Sequence, residues 1–170
     1  LVQAIQGVTY PALSAMADDS AKLREGYLRI VRMLAFVLFP AMLGLVAIAD
    51  DMFMLLLGPK WMPTVPYFEI LSLSCLVYPI AAVSYNILKT KSDGRVIVWL
   101  EVVKRVVMTA LLAYTIPRGV ESVAWGMTVM AAVEFLLNTG TAMRYVGITW
   151  RSISGALLPS LLLVQSVNML

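Results

Sequence analysis

The chain has 170 residues, of which 61% are hydrophobic and only 14% charged, and its mean hydropathy is +0.86. Soluble domains carry about a quarter charged residues, so this composition excludes an ordinary water-soluble fold and selects an integral membrane protein with room for about five spans of roughly 20 residues. The sequence has no histidine and one cysteine, Cys75, which leaves no disulfide framework, no thiolate metal site and no imidazole base or ligand.

Residues 1–17, beginning LVQAIQGVTYPALSAM, read as the end of a transmembrane helix with a bend at Pro11, closed by Asp18, Asp19 and Ser20. Asp19 or Ser20 is placed to cap the next helix. Beyond it Leu23, Tyr27, Ile30 and Val31 recur at helical spacing among Lys22, Arg24, Arg29 and Arg32. Residues 18–32 are therefore expected to form a cytoplasmic amphipathic connector, lying along the membrane surface or simply solvated.

Residues 33–57 form the first full span, with Pro40 and Gly44 expected to bend or loosen it. The connection GPKWMPTVP sets Pro59, Pro63 and Pro66 around Trp61, a short stiff loop with an aromatic anchor at the water boundary. Residues 65–88 cross back. Pro79 interrupts them midway, Ser72, Ser74, Ser84 and Asn86 supply polar groups, and Cys75 is expected to pack as a small apolar side chain. A basic turn, KTKSDGR, precedes spans at 96–116 and 120–143, and RYVGITWR leads to a truncated span at 153–170. The fold class is all-α, a polytopic transmembrane helix bundle.

The span at 96–116, VIVWLEVVKRVVMTALLAYTI, carries the main functional signal. Arg105 lies roughly 15 Å along it, near the middle of a hydrocarbon core about 30 Å thick, a depth at which charges face protein or water. Glu101 is three residues before Lys104 and four before Arg105, so the three share one helix face. They read either as an intrahelical ion pair with snorkelling basic groups or as the lining of a cavity. Measured from the turn at Pro117 to Gly119, Arg105 is about 18 Å down one helix and Glu134 about 22 Å down the other. Antiparallel packing of the two helices would bring Glu134 within reach of Lys104 or Arg105.

The connections alternate in charge. Lys22, Arg24, Arg29, Arg32, Lys89, Lys91, Arg95, Arg144 and Arg151 fall on one side, Lys60 and Arg118 on the other, which makes the first side cytoplasmic. Aromatics gather near the boundaries: Trp61, Tyr67, Tyr114 and Trp125 outside, Tyr27, Trp99, Tyr145 and Trp150 inside. Topology thus accounts for the net charge of +3 without nucleic acid as a partner.

Three running features, YPALSAMADD followed by KLREGYLRIVR, the hairpin FPAMLGLVAIADDMFMLLLGPKWMPTVPYFEILSL, and a basic turn ending in DGR, resemble the polysaccharide exporters and lipid-linked oligosaccharide flippases of the MATE-like superfamily. The order of Pro40, Gly58, Trp61 and Pro66 is the most specific part. The resemblance covers the C-terminal portion of such proteins and implies a fragment of a MATE-like two-bundle transporter with a central cavity. It implies passage of an undecaprenyl-pyrophosphate-linked oligosaccharide across a bacterial cytoplasmic (inner) membrane for lipopolysaccharide or capsular polysaccharide biosynthesis, with no enzymatic step and no cofactor. Expected partners are the lipid-linked oligosaccharide, membrane lipids and other polysaccharide-assembly membrane proteins. Arg105 and Lys104 are the candidate substrate contacts in a cationic cavity, with Glu101 and Glu134 as partners that keep Arg105 charged or couple movement to ions. A multidrug cation antiporter, which would favour acidic cavities, and a noncatalytic scaffold subunit are the alternatives. A membrane glycosyltransferase or polymerase would need carboxylates or arginines on long outer loops, and the outer connections here are short.

Overall fold

The computed structural model of the chain describes residues 2–156, with side chains from residue 9 onward. Six α-helices follow one another: α1 (Val2–Ser14), α2 (Ser20–Ala47), α3 (Ala49–Leu56), α4 (Val65–Lys91), α5 (Gly94–Thr115) and α6 (Val120–Val146), with 3₁₀ turns at Pro59–Thr64 and Ile116–Arg118 and no strand among the described residues. The segments Ser20–Ala47, Pro59–Lys91 and Val120–Val146 are long and apolar enough to cross a membrane. With its 22 residues α5 is also long enough for a span, but it carries Glu101, Lys104 and Arg105. The chain is an all-α membrane helix bundle.

The segment at 18–32 differs from the surface connector expected of it. It is the first half of α2, continuous with the apolar part that follows. Leu23, Tyr27, Val31 and Ala35, at four-residue intervals, form a buried stripe directed into the bundle. The periodicity was that of a core helix face, and Tyr27 belongs to the core, not to the boundary aromatics. The helix starts where Asp19 accepts hydrogen bonds from the backbone N–H groups of Ala21 (3.0 Å) and Lys22 (3.1 Å). Those bonds, first the one from Lys22, hold the Asp19 carboxyl below its ordinary pKa. A lowered pKa means that the cap stabilises the fold above the unfolded-state value, and that this contribution is lost as pH falls through the folded one.

The expected span at 33–57 is also divided. α2 runs through Pro40 to Ala47, and Ile48 separates it from the short α3. α3 ends at Leu56, and Gly58, at φ +84°, takes a backbone conformation that side-chain-bearing residues rarely adopt. Cys75 is exposed instead of packed. The truncated span expected at 153–170 lies mostly outside the described residues. Its first turn, through residue 156, is helical, with Ile153 and Ala156 buried in the core.

α4 is the hub. α6, α2 and α1 all pack against it, whereas α5 packs mainly on α6 and barely meets α4. Lipid is as apolar as a leucine side chain, so inside a membrane close packing of small residues and interhelical hydrogen bonds hold helices together. The sequence supplies both at this contact: Ala81, Ala82 and Ser84 are buried on α4, and Ala131, Thr139 and Ala142 on α6. Ser84 Oγ donates to the Ile80 carbonyl (2.9 Å) and lies 2.8 Å from the Tyr27 hydroxyl and 3.0 Å from the Thr139 hydroxyl. Tyr27 and Thr139 can therefore both donate to Ser84, which joins α2, α4 and α6 at one buried oxygen. Further along the bundle Thr128 Oγ1 donates to the Ile70 carbonyl (3.0 Å), and Asn86 Nδ2 donates to Thr9 Oγ1 on α1 (2.8 Å).

Two apolar clusters follow. The larger, with Leu13, Leu23, Tyr27, Ile87, Leu88 and Ile153 among its members, lies at the end of the bundle that carries most of the basic residues. The smaller, Ala49, Phe53 and Val65, sits where the 3₁₀ turn joins α3 to α4. At the C-terminus of α6, Gly147 in the left-handed conformation lets the N–H groups of Gly147 and Ile148 both donate to the Met143 carbonyl, and Ile148 then turns inward.

The hydroxyl cluster makes a measurable difference. Ser84→Ala should lower stability by about 1–3 kcal/mol because it strands two buried hydroxyls. Tyr27→Phe, Ser84→Ala and Thr139→Val combined should cost less than Ser84→Ala alone, as read by thermal unfolding of the purified protein.

Candidate functional site

Because α4 and α6 pack tightly while α5 leans mainly on α6, a groove opens between the three helices. α5 is held at both ends. Near the outer turn a Cβ placed on Gly126 would stand 3.0 Å from Thr115 Cγ2, so α5 and α6 approach closely there. At the basic end Leu100 is buried in the main core. Between these points lie two adjoining compartments of about 310 and 160 Å³, which share Tyr78, Glu101, Lys104, Arg105 and Glu134 as walls.

Helical spacing explains the lining. Glu101, Lys104, Arg105 and Met108 come from α5 at intervals of three, one and three; Tyr78, Ala82 and Tyr85 from α4 at four and three; Met127, Ala131, Glu134 and Asn138 from α6 at four, three and four. All four charged residues singled out in the sequence thus meet at one place.

Their states differ. Lys104 forms an ion pair with Glu101, its side chain is only 8% exposed, and its Nζ lies 4.7 Å from the centre of the Tyr85 ring. Arg105 is 81% exposed, with Nη2 3.8 Å from Glu101 Oε2. Glu101, 35% exposed, therefore serves two cations. Glu134 stands on the opposite wall, part-buried, and makes no ion pair among the described residues. The levels of the two helices match as anticipated, but the anticipated pairing of Glu134 with Lys104 or Arg105 is absent because Glu101 occupies that role from within α5. Two cations face two carboxylates, so the described wall is balanced in formal charge, and its exposed cation is Arg105.

The sequence reading did not single out Tyr78, Tyr85 or Asn138. The tyrosines carried a signal, since they stand seven residues apart on one face of α4. Asn138 is 4% exposed; its Nδ2 donates to the Ala81 carbonyl at 3.4 Å, and its Oδ1 is buried without a donor. An unmet acceptor of this kind costs roughly 1–3 kcal/mol. Among the described residues no group of three or more acidic or cysteine side chains is arranged to hold a metal ion.

Residues 1–66 match the family described as polysaccharide biosynthesis protein. A membrane protein in the cps region of Klebsiella pneumoniae is 30% identical over 135 residues, 79% of this chain and 28% of that protein. The chain resembles the polysaccharide biosynthesis proteins. The teichuronic acid biosynthesis protein TuaB of Bacillus subtilis is 26% identical over 132 residues, 77% of the chain and 27% of the relative. The succinoglycan biosynthesis transport protein ExoT of Rhizobium meliloti is 25% identical over 163 residues, 95% of the chain and 31% of the relative. The chain spans less than a third of the length of these relatives. No solved structure matches it. The match to the polysaccharide biosynthesis family over residues 1–66 ends just inside α4, so the charged cavity lies beyond it.

The ion pair between Glu101 and Lys104 has a stability consequence. Removing one partner of a fully buried pair costs about 3–5 kcal/mol, and the partial exposure of Glu101 places this pair below that range. Glu101→Gln should therefore destabilise the protein more than Lys104→Met does, since it leaves the buried ammonium without its anion. The double substitution should recover most of the loss, and a double-mutant cycle on thermal unfolding measures the coupling.

Proposed function

We propose that the chain contributes the substrate cavity of a membrane transporter that moves an undecaprenyl-pyrophosphate-linked oligosaccharide across the bacterial cytoplasmic membrane. The observation that carries this reading is the Arg105 guanidinium, exposed into a groove at mid-depth of the bundle beside the buried Lys104. A charge held at that depth needs a function or a partner, and a guanidinium suits the forked geometry of phosphate oxygens better than a point charge does. One relative is named a succinoglycan biosynthesis transport protein, which supports polysaccharide export as the wider role.

In this reading the basic ends of α2, α4 and α6 lie in the cytoplasm. The headgroup enters between α4 and α5 and is met first by Arg105. Glu101 can release Arg105 without exposing Lys104, because Lys104 keeps its stacking contact with Tyr85 and the shorter arm of the shared carboxylate. Arg105 is thus free to follow an anion while the helix stays anchored. The membrane lipids around the bundle and other polysaccharide-assembly proteins are the further partners, and no chemical conversion of the glycan is involved.

The test is the leaflet distribution of lipid-linked glycan in cells lacking the gene for this chain, restored either with the native gene or with Arg105→Ala. Deletion should trap the glycan on the cytoplasmic side, the native gene should relieve the block, and Arg105→Ala should restore export by less than about a tenth, the loss expected for one charge-assisted contact of roughly 1.5–3 kcal/mol. Normal distribution in the deletion would remove the transport reading. Efflux of a cationic dye that depends on Glu134 would replace it with cation antiport.

A further inference from the structure

Once Arg105 and Lys104 are assigned to an anionic headgroup, the opposite wall of the cavity remains without a role. Its charged group is a hydrogen-bond acceptor, the Glu134 carboxylate. Glu134 lines both compartments and has no ion pair among the described residues. Asn138 borders the inner one, with its Oδ1 buried and its Nδ2 donating to the Ala81 carbonyl, so it presents no polar atom to the space. Beside them the Tyr78 ring is 41% exposed and also borders both compartments.

This combination has a narrow set of fitting ligands. A pyrophosphate brings more acceptors, and a polyprenyl chain brings no polar group at all. A cationic ligand would meet Lys104 and Arg105 across the same space. A sugar ring is uncharged, projects hydroxyl donors around its edge and presents an apolar C–H face that packs on an aromatic ring. The inner compartment has a volume of about 160 Å³. It adjoins the basic wall directly, so a sugar bonded to a headgroup at Arg105 reaches it without a spacer.

We propose that the α4–α6 wall is a carbohydrate-recognition subsite, in which Glu134 accepts hydrogen bonds from ring hydroxyls and Tyr78 packs against a ring face. This rests on the transport reading above and names the residues that tell a glycan-bearing carrier from a bare one. The carboxylate also repels an anion that arrives without its sugar, a repulsion only partly offset by Lys104 and Arg105 across the cavity. Discrimination therefore comes from an attraction and a repulsion at the same residue.

The test compares binding of two probes to the purified protein in lipid nanodiscs: undecaprenyl pyrophosphate alone, and the same carrier bearing the glycan extracted from the host's own membranes. The native protein should bind the glycan-bearing form about tenfold more tightly, the worth of about one hydrogen bond to a charged acceptor. Glu134→Leu should abolish that ratio by weakening the glycan-bearing form and strengthening the bare one, whereas Glu134→Gln should keep part of it. Arg105→Ala should weaken both probes together and leave the ratio intact. Tyr78→Ala, at an exposed side chain, should reduce the ratio as well, Tyr78→Phe should not, and this pair decides the matter if Glu134→Leu does not fold. Equal binding of both probes by the native protein, or an unchanged ratio in Glu134→Leu and Tyr78→Ala, overturns the subsite while the headgroup reading stands. Failure of the native protein to bind either probe removes both.

Discussion

The contact between α4 and α6 sets the terms for everything else in the bundle. Inside a membrane, apolar side chains gain little by exchanging lipid for protein, so a helix pair must be held by close approach and by polar groups that find partners. Alanines and short hydroxyl side chains meet both needs at this interface, and Ser84 brings α2 into the same arrangement through Tyr27. Three helices fixed at one buried oxygen leave little freedom of register. A shift of one residue along any of them would separate at least one hydroxyl from its partner in a medium that offers no water to replace it.

α5 obeys a different rule. Its buried residues are few, Leu100, Lys104 and Thr115, and one of them is a cation. A helix with three charges near its middle cannot present that face to lipid, and pairing within the helix removes only part of the cost. Turning the charged face toward the α4–α6 pair, and standing off from α4 so that the side chains have room, satisfies the constraint and creates the cavity as a by-product. The apolar residues Val98, Val102 and Val106 are correspondingly exposed on the outward side of α5. Site and topology therefore have one origin, the placement of Glu101, Lys104 and Arg105 in an otherwise apolar span.

Much of this was legible before any coordinates. Composition identified the all-α membrane class, and spacing put Glu101, Lys104 and Arg105 on one helix face with Glu134 at a similar level on the next helix. Two features were not legible, for physical reasons. The stripe at Leu23, Tyr27 and Val31 fits a membrane-surface helix and a core helix equally well, because periodicity reports that a face is apolar and not what covers it. The covering partner is supplied by α4, some sixty residues away, and Tyr27 meets it through a hydroxyl that boundary aromatics also carry. Likewise the charge spacing on α5 showed which cations and anions could meet and not which would. Lys104 and Glu101, three residues apart, pair at no cost in tertiary arrangement, so the local partner took precedence over Glu134 across the groove.

That precedence shapes the chemistry of the cavity. Had Glu134 paired with Lys104 across the groove, the two walls would be clamped and the space between them closed to a ligand. With the ion pair contained within α5, the walls remain separate, Glu134 has no ion pair among the described residues, and Arg105 stays exposed. Elements that must admit a ligand are drawn from the less tightly packed part of a structure. In the proposed reading the tightly packed α4–α6 pair carries the carboxylate and ring face that discriminate. The helix that leans on it carries the long cation that follows the anion. The two kinds of group could not exchange places without losing one of these properties.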